Sequence, residues 1–299
     1  MVKNILTIDV EEVFHGEYTR SYRKQNLTYR TPYNIPKILR MLKEYRVKAT
    51  FFIVGEIAKK YPEIIKIILD EGHEVAFHGW THEPLWASTP EKLRAELKAF
   101  KKLHPTCIGF RAPSFSLSNK TGWALKILYE ENFKYDSSIF PTWTPLYGVY
   151  EAPIYPYYPS MTNIAGKDDR GSIIEFPMAV YTLFGIKVPI AGGFWLRLWD
   201  LNLIKRGIRK INEKSFPAVI YIHNWELDEG TPRISASIIG KFQAYHSLDK
   251  AKQKLESLLK SFSFTNFVTY LDEFWPNFAS LGIRNKSIYP LLMHGSHNV

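Results

Sequence analysis

Short apolar runs alternate along this chain with longer stretches in which apolar residues recur every three or four positions. Asn4 to Asp9 (NILTID) is the first run, apolar and partly β-branched until it ends in a carboxylate, and it reads as a buried strand. Lys48 to Gly55 (KATFFIVG), His73 to His78 (HEVAFH), Ile108 to Arg111, Ser172 to Phe176, Pro217 to His223 and Thr265 to Thr269 predict further strands. Asn34 to Tyr45 has helical spacing through Ile35, Ile38, Leu39 and Leu42, and Ile57 to Glu71 predicts a second helix closed by Gly72. Helices are also expected over Thr89 to Leu103, Asn119 to Asn132, Asn202 to Glu213 and Ser237 to Ser261. This alternation implies an α/β fold with a parallel sheet covered by helices. Several predicted strands end in a charged residue, and strand C-termini are where α/β sites lie.

Phe140 to Met161 breaks the pattern (FPTWTPLYGVYEAPIYPYYP), and its aromatics are too many for a disordered linker. We expect an ordered loop over about 140–161, packed on the rest of the fold and lying over the site. No repeat or boundary divides the 299 residues, so one domain over 1–299 is expected, with a short flexible tail at about 291–299. His294 and His297 fall in that tail and are expected to be exposed.

Charge and cysteine content narrow the setting. The formal charge of +10 favours anionic partners such as phosphorylated carriers, acidic polysaccharide or membrane headgroups. A nucleic-acid partner is not expected, because no binding motif is present and lysines such as Lys250, Lys252, Lys254 and Lys260 fall on amphipathic helical stretches. Met1 to Asp9 runs directly into Glu11 and Glu12, unlike a signal peptide, and no apolar stretch approaches the roughly 20 residues of a membrane span. With Cys107 as the single cysteine, no internal disulfide can form, and the expected location is the cytoplasm or the inner membrane face as a peripheral protein.

Four clusters could carry chemistry. His78-Gly-Trp-Thr-His82 sets two imidazoles four residues apart, a weak signal alone. An extended strand would separate them by about 13 Å, so both reach one ion only if the chain coils after His78, which Gly79 and Pro84 permit. Asp9-Val-Glu11-Glu12 adds carboxylates, and two His with one carboxylate is a common catalytic zinc set. Of Asp9 and Glu11, one could ligate while the other takes a proton from water, and Glu12 is a rival ligand. Arg111 could pair with a catalytic carboxylate. His223, in His-Asn-Trp-Glu226, could protonate a leaving amine, with Glu226 or Glu175 raising its pKa. For each cluster taken alone a bland alternative stands: structural histidines, a helix cap, a surface ion pair.

Taken in order, TIDVEE, HGWTH, RAPS and IHNW resemble the successive motifs of the polysaccharide deacetylase family, carbohydrate esterase family four. GFRAPSFSL, YDSSIFP, EFPM, AGGFW and HNWELD further resemble its polysaccharide-biosynthesis branch. The resemblance implies a distorted (β/α) barrel with fewer than eight strands, and metal-dependent removal of an N-acetyl group from an amino sugar in a polysaccharide, oligosaccharide or carrier-linked glycan. It implies Asp9 as base, Glu11, His78 and His82 as metal ligands, Arg111 orienting the base, Ser114 as oxyanion donor through its N–H, and His223 as acid. The implied cofactor is one divalent ion, zinc before Co2+, Ni2+ or Mn2+. The implied partner is an acetylated amino-sugar substrate, with anionic and lipid-carrier-linked forms both open, and the oligomeric state is left undefined. Three departures stand out: the usual adjacent Asp-Asp is spread into Asp-Val-Glu, Ser114 stands where many relatives have tyrosine, and Glu175 is only a candidate for the acid that tunes His223. The rival readings are a cyclic amide or imide hydrolase of allantoinase type and a non-catalytic carbohydrate-binding or assembly protein.

Overall fold

The computed structural model describes residues 2–20, 28–168 and 171–278. In chain order the regular elements are β1 (Asn4–Val10), α1 (Thr31–Glu44), β2 (Thr50–Ile53), α2 (Gly55–Lys60), α3 (Pro62–Asp70), β3 (Glu74–Phe77), α4 (Pro90–Leu103), β4 (Gly109–Phe110), α5 (Trp123–Glu130) and β5 (Tyr135–Asp136). They continue with β6 (Ile174–Glu175), β7 (Val180–Leu183), β8 (Ile186–Pro189), α6 (Phe194–Leu198), α7 (Leu201–Asn212), β9 (Val219–His223), α8 (Ile238–Tyr245), α9 (Ala251–Ser261), β10 (Phe264–Thr265) and α10 (Phe267–Phe278).

All strand pairs of the main sheet are parallel, in the order β10-β1-β2-β3-β4-β5-β6, with β9 also on β1. Ile5 pairs both Thr265 and Val219, and Thr7 pairs both Thr50 and Tyr221, so β10 and β2 share one flank of β1 while β9 takes the other. The eight strands therefore form seven staves of a curled (β/α) barrel, open between β6 and β9. Across that opening the Ala179 N–H donates to Val219 O at 3.2 Å and the Tyr221 N–H to Ala191 O at 2.7 Å. β1 has partners on both flanks and all seven of its residues are buried, which is why it reads as a continuous apolar run.

Several boundaries differ from expectation for identifiable reasons. The helix expected over Ile57 to Glu71 is two, because Pro62 forces Tyr61 out of the helical region, to φ −133° and ψ 67°. The helix expected over Ser237 to Ser261 breaks at Ser247, which sits in the left-handed region at φ 47°. The last strand stops at Thr265: Asn266 turns its Oδ1 to the Thr269 N–H at 2.8 Å, capping α10 where sheet was expected. The β7–β8 hairpin was not expected. Its register pairs Leu183 with Ile186, and the two turn residues, Phe184 and Gly185, both have positive φ. The expected tail at 291–299, with His294 and His297, lies outside the described residues. The Pro- and Tyr-rich stretch packs inward through Tyr157 and Tyr158, and Tyr157 exchanges backbone hydrogen bonds with Glu175.

Where β5 meets β6, register sets Asp136 beside Glu175, and neither side chain has solvent exposure. Burial raises both carboxyls above their ordinary range; Asp136 lifts Glu175 further, while the hydrogen bond from Glu175 offsets part of the rise at Asp136. Asp136 Oδ2 and Glu175 Oε2 have no outside donor among the described residues, so one proton held between them satisfies both. Carboxyls raised in the folded state contribute stability that is complete below their unfolded pKa of about 4 and is lost as pH rises towards the folded value. Glu175→Gln, whose amide can donate to Asp136, should therefore lose less stability between pH 5 and pH 9 than the parent. Urea unfolding of both proteins at the two pH values checks this, and equal losses would contradict the shared proton.

Candidate active site

Parallel strands end on one rim, so residues far apart in sequence meet there. Asp9 and Glu11 leave β1, His78 follows β3, Arg111 follows β4 and His223 ends β9. Arg111 has no exposure. Its Nη1 lies 2.6 Å from Asp9 Oδ1 and 2.8 Å from Thr7 Oγ1, its Nε donates to Ser137 O at 2.8 Å, and its plane covers Phe52 at 4.2 Å. A guanidinium held on these sides orients Asp9 rather than merely neutralising it.

The chain does coil after His78. Gly79 at φ 70° and His82 at φ 55° reverse it, bringing the two imidazole centroids to 4.9 Å. A side chain at position 79 would put its Cβ 2.7 Å from Pro113 Cγ, so only glycine fits. Each imidazole is anchored through Nδ1, His78 on Arg111 O at 2.9 Å and His82 on His15 O at 3.0 Å. Nδ1 must carry the proton to donate to a carbonyl, so both Nε2 atoms face the cleft as lone pairs, the way metal-binding histidines are set. Burial lowers His78 to about 4, keeping it neutral. One ligand atom each from Glu11, His78 and His82 lies within 4.8 Å of the others, a group suited to a metal ion.

Glu11 Oε2 is 2.7 Å from His82 Nε2, yet this buried oxygen has no hydrogen-bond donor. Two lone pairs at that distance call for a cation between them. A proton on His82 can take that cation's place: burial favours the neutral acid, but His82 and His223 in their charged forms outweigh it and hold the Glu11 carboxyl well below its ordinary range. Glu12 points elsewhere. Its Oε1 accepts from Arg30 N and Thr31 N at 2.8 Å each and from Thr31 Oγ1 at 2.6 Å, closing the start of α1, so it is a helix cap and not a rival ligand.

His223 stacks on Trp225 at 5.2 Å, with its Nδ1 3.0 Å from Glu226 Oε2 and its Nε2 3.6 Å from Glu11 Oε1. Burial opposes charge on His223, but Glu11 and Glu226 overcome it and lift the pKa to about 9. Glu226 is itself held at about 2, where Arg197 and His223 overcome its burial. Glu175, offered from sequence as a possible partner of His223, instead pairs with Asp136 and accepts from Ile139 N at 2.9 Å. Its strand leaves the sheet on the far side of the opening from β9. Ser114, in the left-handed region at φ 55°, lines the same cleft as Asp9, Glu11, His78, His82 and His223.

Sequence reasoning missed Arg197 and Trp225. Arg197 Nε reaches Glu226 Oε1 at 2.6 Å from 29 positions away, while Nη1 and Nη2 donate to His246 O and Gln243 O. Only the three-dimensional contact reveals it. Trp225, whose Nε1 donates to Glu11 Oε1 at 3.2 Å, lies inside the HNWE motif and was within reach of that signal.

A curled parallel barrel with carboxylates and imidazoles gathered at its strand ends defines a class of α/β proteins with a metal-compatible rim. Residues 24–127 match the family described as polysaccharide deacetylase, and residues 137–272 match one described as a domain of unknown function, DUF3473. Over 121 residues the chain is 36% identical to the peptidoglycan deacetylase of Helicobacter pylori, covering 38% of this chain and 40% of that protein. Over 105 residues it is 36% identical to a peptidoglycan-N-acetylglucosamine deacetylase of Bacillus cereus, covering 33% and 36%. The matches thus span less than half the length of these relatives. A solved protein of Mycobacterium smegmatis, assigned to the polysaccharide deacetylases, shares the fold at a TM-score of 0.57 and 19% identity, over 93% of this chain and 92% of that one. The similarity to the polysaccharide deacetylase family thus lies in residues 24–127, and the fold is shared with the solved mycobacterial protein.

Removing Arg111 alone would leave Asp9 buried without its cation. Arg111→Met should destabilise the fold by about 3 to 5 kcal/mol, and Arg111→Met with Asp9→Asn by clearly less. Urea midpoints of the two variants test this, and equal losses would mean that the pair is not coupled.

Proposed function

We propose that this protein is a metal-dependent hydrolase that removes the N-acetyl group from an amino sugar in a polysaccharide, oligosaccharide or carrier-linked glycan. The observation that carries the reading is the buried Glu11 Oε2 facing the His82 lone pair at 2.7 Å, beside His78, with Asp9 next to them. The relatives named for peptidoglycan deacetylation favour an N-acetylhexosamine polymer. In this reading the chain acts as one catalytic domain in the cytoplasm. No helix of the described residues is long and apolar enough to cross a membrane.

Glu11, His78 and His82 would hold the ion, which we take to be zinc. A bound divalent ion would supply Lewis acidity to an acyl carbonyl and a water at this rim. Asp9, fixed by Arg111, is the base that takes the proton of the attacking water. The developing oxyanion is met by the Ser114 N–H, a donor of the kind typically worth about 3 to 4 kcal/mol. His223, charged and held by Glu226, delivers a proton to the departing amine nitrogen, and Arg197 keeps Glu226 in place.

After chelation and reloading with zinc, the parent should retain one ion and release acetate from N-acetylglucosamine oligomers. Asp9→Asn should retain the ion and lose activity by about 10²- to 10⁴-fold. Glu11→Gln should lose the ion, and Glu12→Gln should keep it. Elemental analysis and acetate assay read these outcomes. Full turnover in Asp9→Asn would refute its role, ring opening of an imide without acetate release would favour the allantoinase type, and sugar binding with no retained ion would point to a non-catalytic protein.

A further inference from the structure

The elements that flank the cleft carry apolar side chains that no described residue covers. On one side, the loop that contributes Leu146 and Tyr147 to the cleft wall also presents Trp143, 74% exposed, and Tyr150. That loop is tied to the β7–β8 hairpin, since Thr142 Oγ1 donates to Lys187 O at 2.7 Å and Tyr150 Oη to Gly185 O at 3.2 Å. The hairpin tip carries Phe184, 96% exposed, and Ile186, also exposed. On the other side, α8 lines the cleft with Gly240, Gln243 and Ala244 while its outer face shows Ile238, 88% exposed, with Ile239 and Phe242. Large apolar side chains gain free energy when they leave water, so two such ridges ask for a partner.

Charge selects among partners. About one residue in ten of the whole chain is Asp or Glu, 29 of 299. None occurs between Ser137 and Tyr150, between Phe176 and Trp199, or between Thr231 and Leu248, the three segments that build the two ridges, and the first carboxylate beyond them on the loop is Glu151. Four cations fall in these segments: Arg197 is buried against Glu226, and Lys187, Arg233 and Lys241 remain for the ridges. Protruding Trp, Tyr, Phe and Ile with cations and no carboxylates match the headgroup boundary of an anionic bilayer, where aromatic rings settle and acidic groups are repelled.

We infer that the mouth of the cleft docks on an anionic lipid surface, seating the hairpin tip and the outer face of α8 at the headgroup level so that a glycan held at that surface enters the cleft directly. The docking surface does not depend on the chemistry assigned to the rim, and its test needs no turnover. The full chain is sedimented with vesicles of phosphatidylglycerol and phosphatidylcholine, and with phosphatidylcholine alone. The parent should bind the anionic vesicles, less so as salt rises. Phe184→Ser with Ile186→Ser, and separately Ile238→Ser with Ile239→Ser, should each weaken binding by about tenfold or more. Circular dichroism spectra of the variants should match the parent, since the substituted side chains are exposed. Three results would overturn the inference: no binding by the parent, equal binding by folded variants, or a parent dimer that the substitutions dissociate without any effect on vesicles, which would assign the ridges to a second copy of the chain.

Discussion

The rim is organised around a guanidinium buried in the middle of the barrel. Arg111 joins β1 through Asp9 and Thr7, the start of the segment after β5 through Ser137, and the chain after β6 through Met178 Sδ at 3.5 Å. Such a charge is expensive to desolvate, so its partners are not optional. The carbonyl of the same residue anchors His78, which makes one position responsible for orienting both a carboxylate and an imidazole of the cluster. The open barrel keeps its short strands in register partly because this side chain spans them.

A second polar chain runs along the opposite wall. Arg197 holds Glu226, Glu226 holds His223, and His223 approaches Glu11. Charges alternate in sign along it, so each member favours the charged form of the next despite burial. The two chains approach each other at the carboxylates of β1, on one side through Asp9 and on the other through Glu11. Their separation by a single residue on a strand directs both side chains towards the same cleft.

How much of this could be read from sequence depended on the range of the contacts. β1, β2, β3 and β9 were legible because burial on both faces makes an uninterrupted apolar run, whereas β5, of two residues, is too short to have a period. Glu11, His78 and His82, which the fold brings together, could be singled out in sequence because their chemistry is concentrated in short motifs at strand ends. Glu12 and Glu11 were inseparable on paper, since what distinguishes them is which one meets the otherwise unpaired N–H groups opening α1. Glu175 was misplaced for the same reason: its partner Asp136 is set by sheet register, which no local pattern encodes. Arg197 left no signal at all, since the carbonyls it binds belong to α8 and the residue after it.

The contact between Gly79 and Pro113 ties the turn bearing the imidazoles to the one bearing Ser114. Neither loop can be remodelled by itself: a Cβ at position 79 demands room that only a smaller or differently puckered neighbour at 113 would release. Across descendants of this chain glycine should still persist at 79 even where 113 changes, because room at 113 does not relieve a φ of 70° for any other side chain.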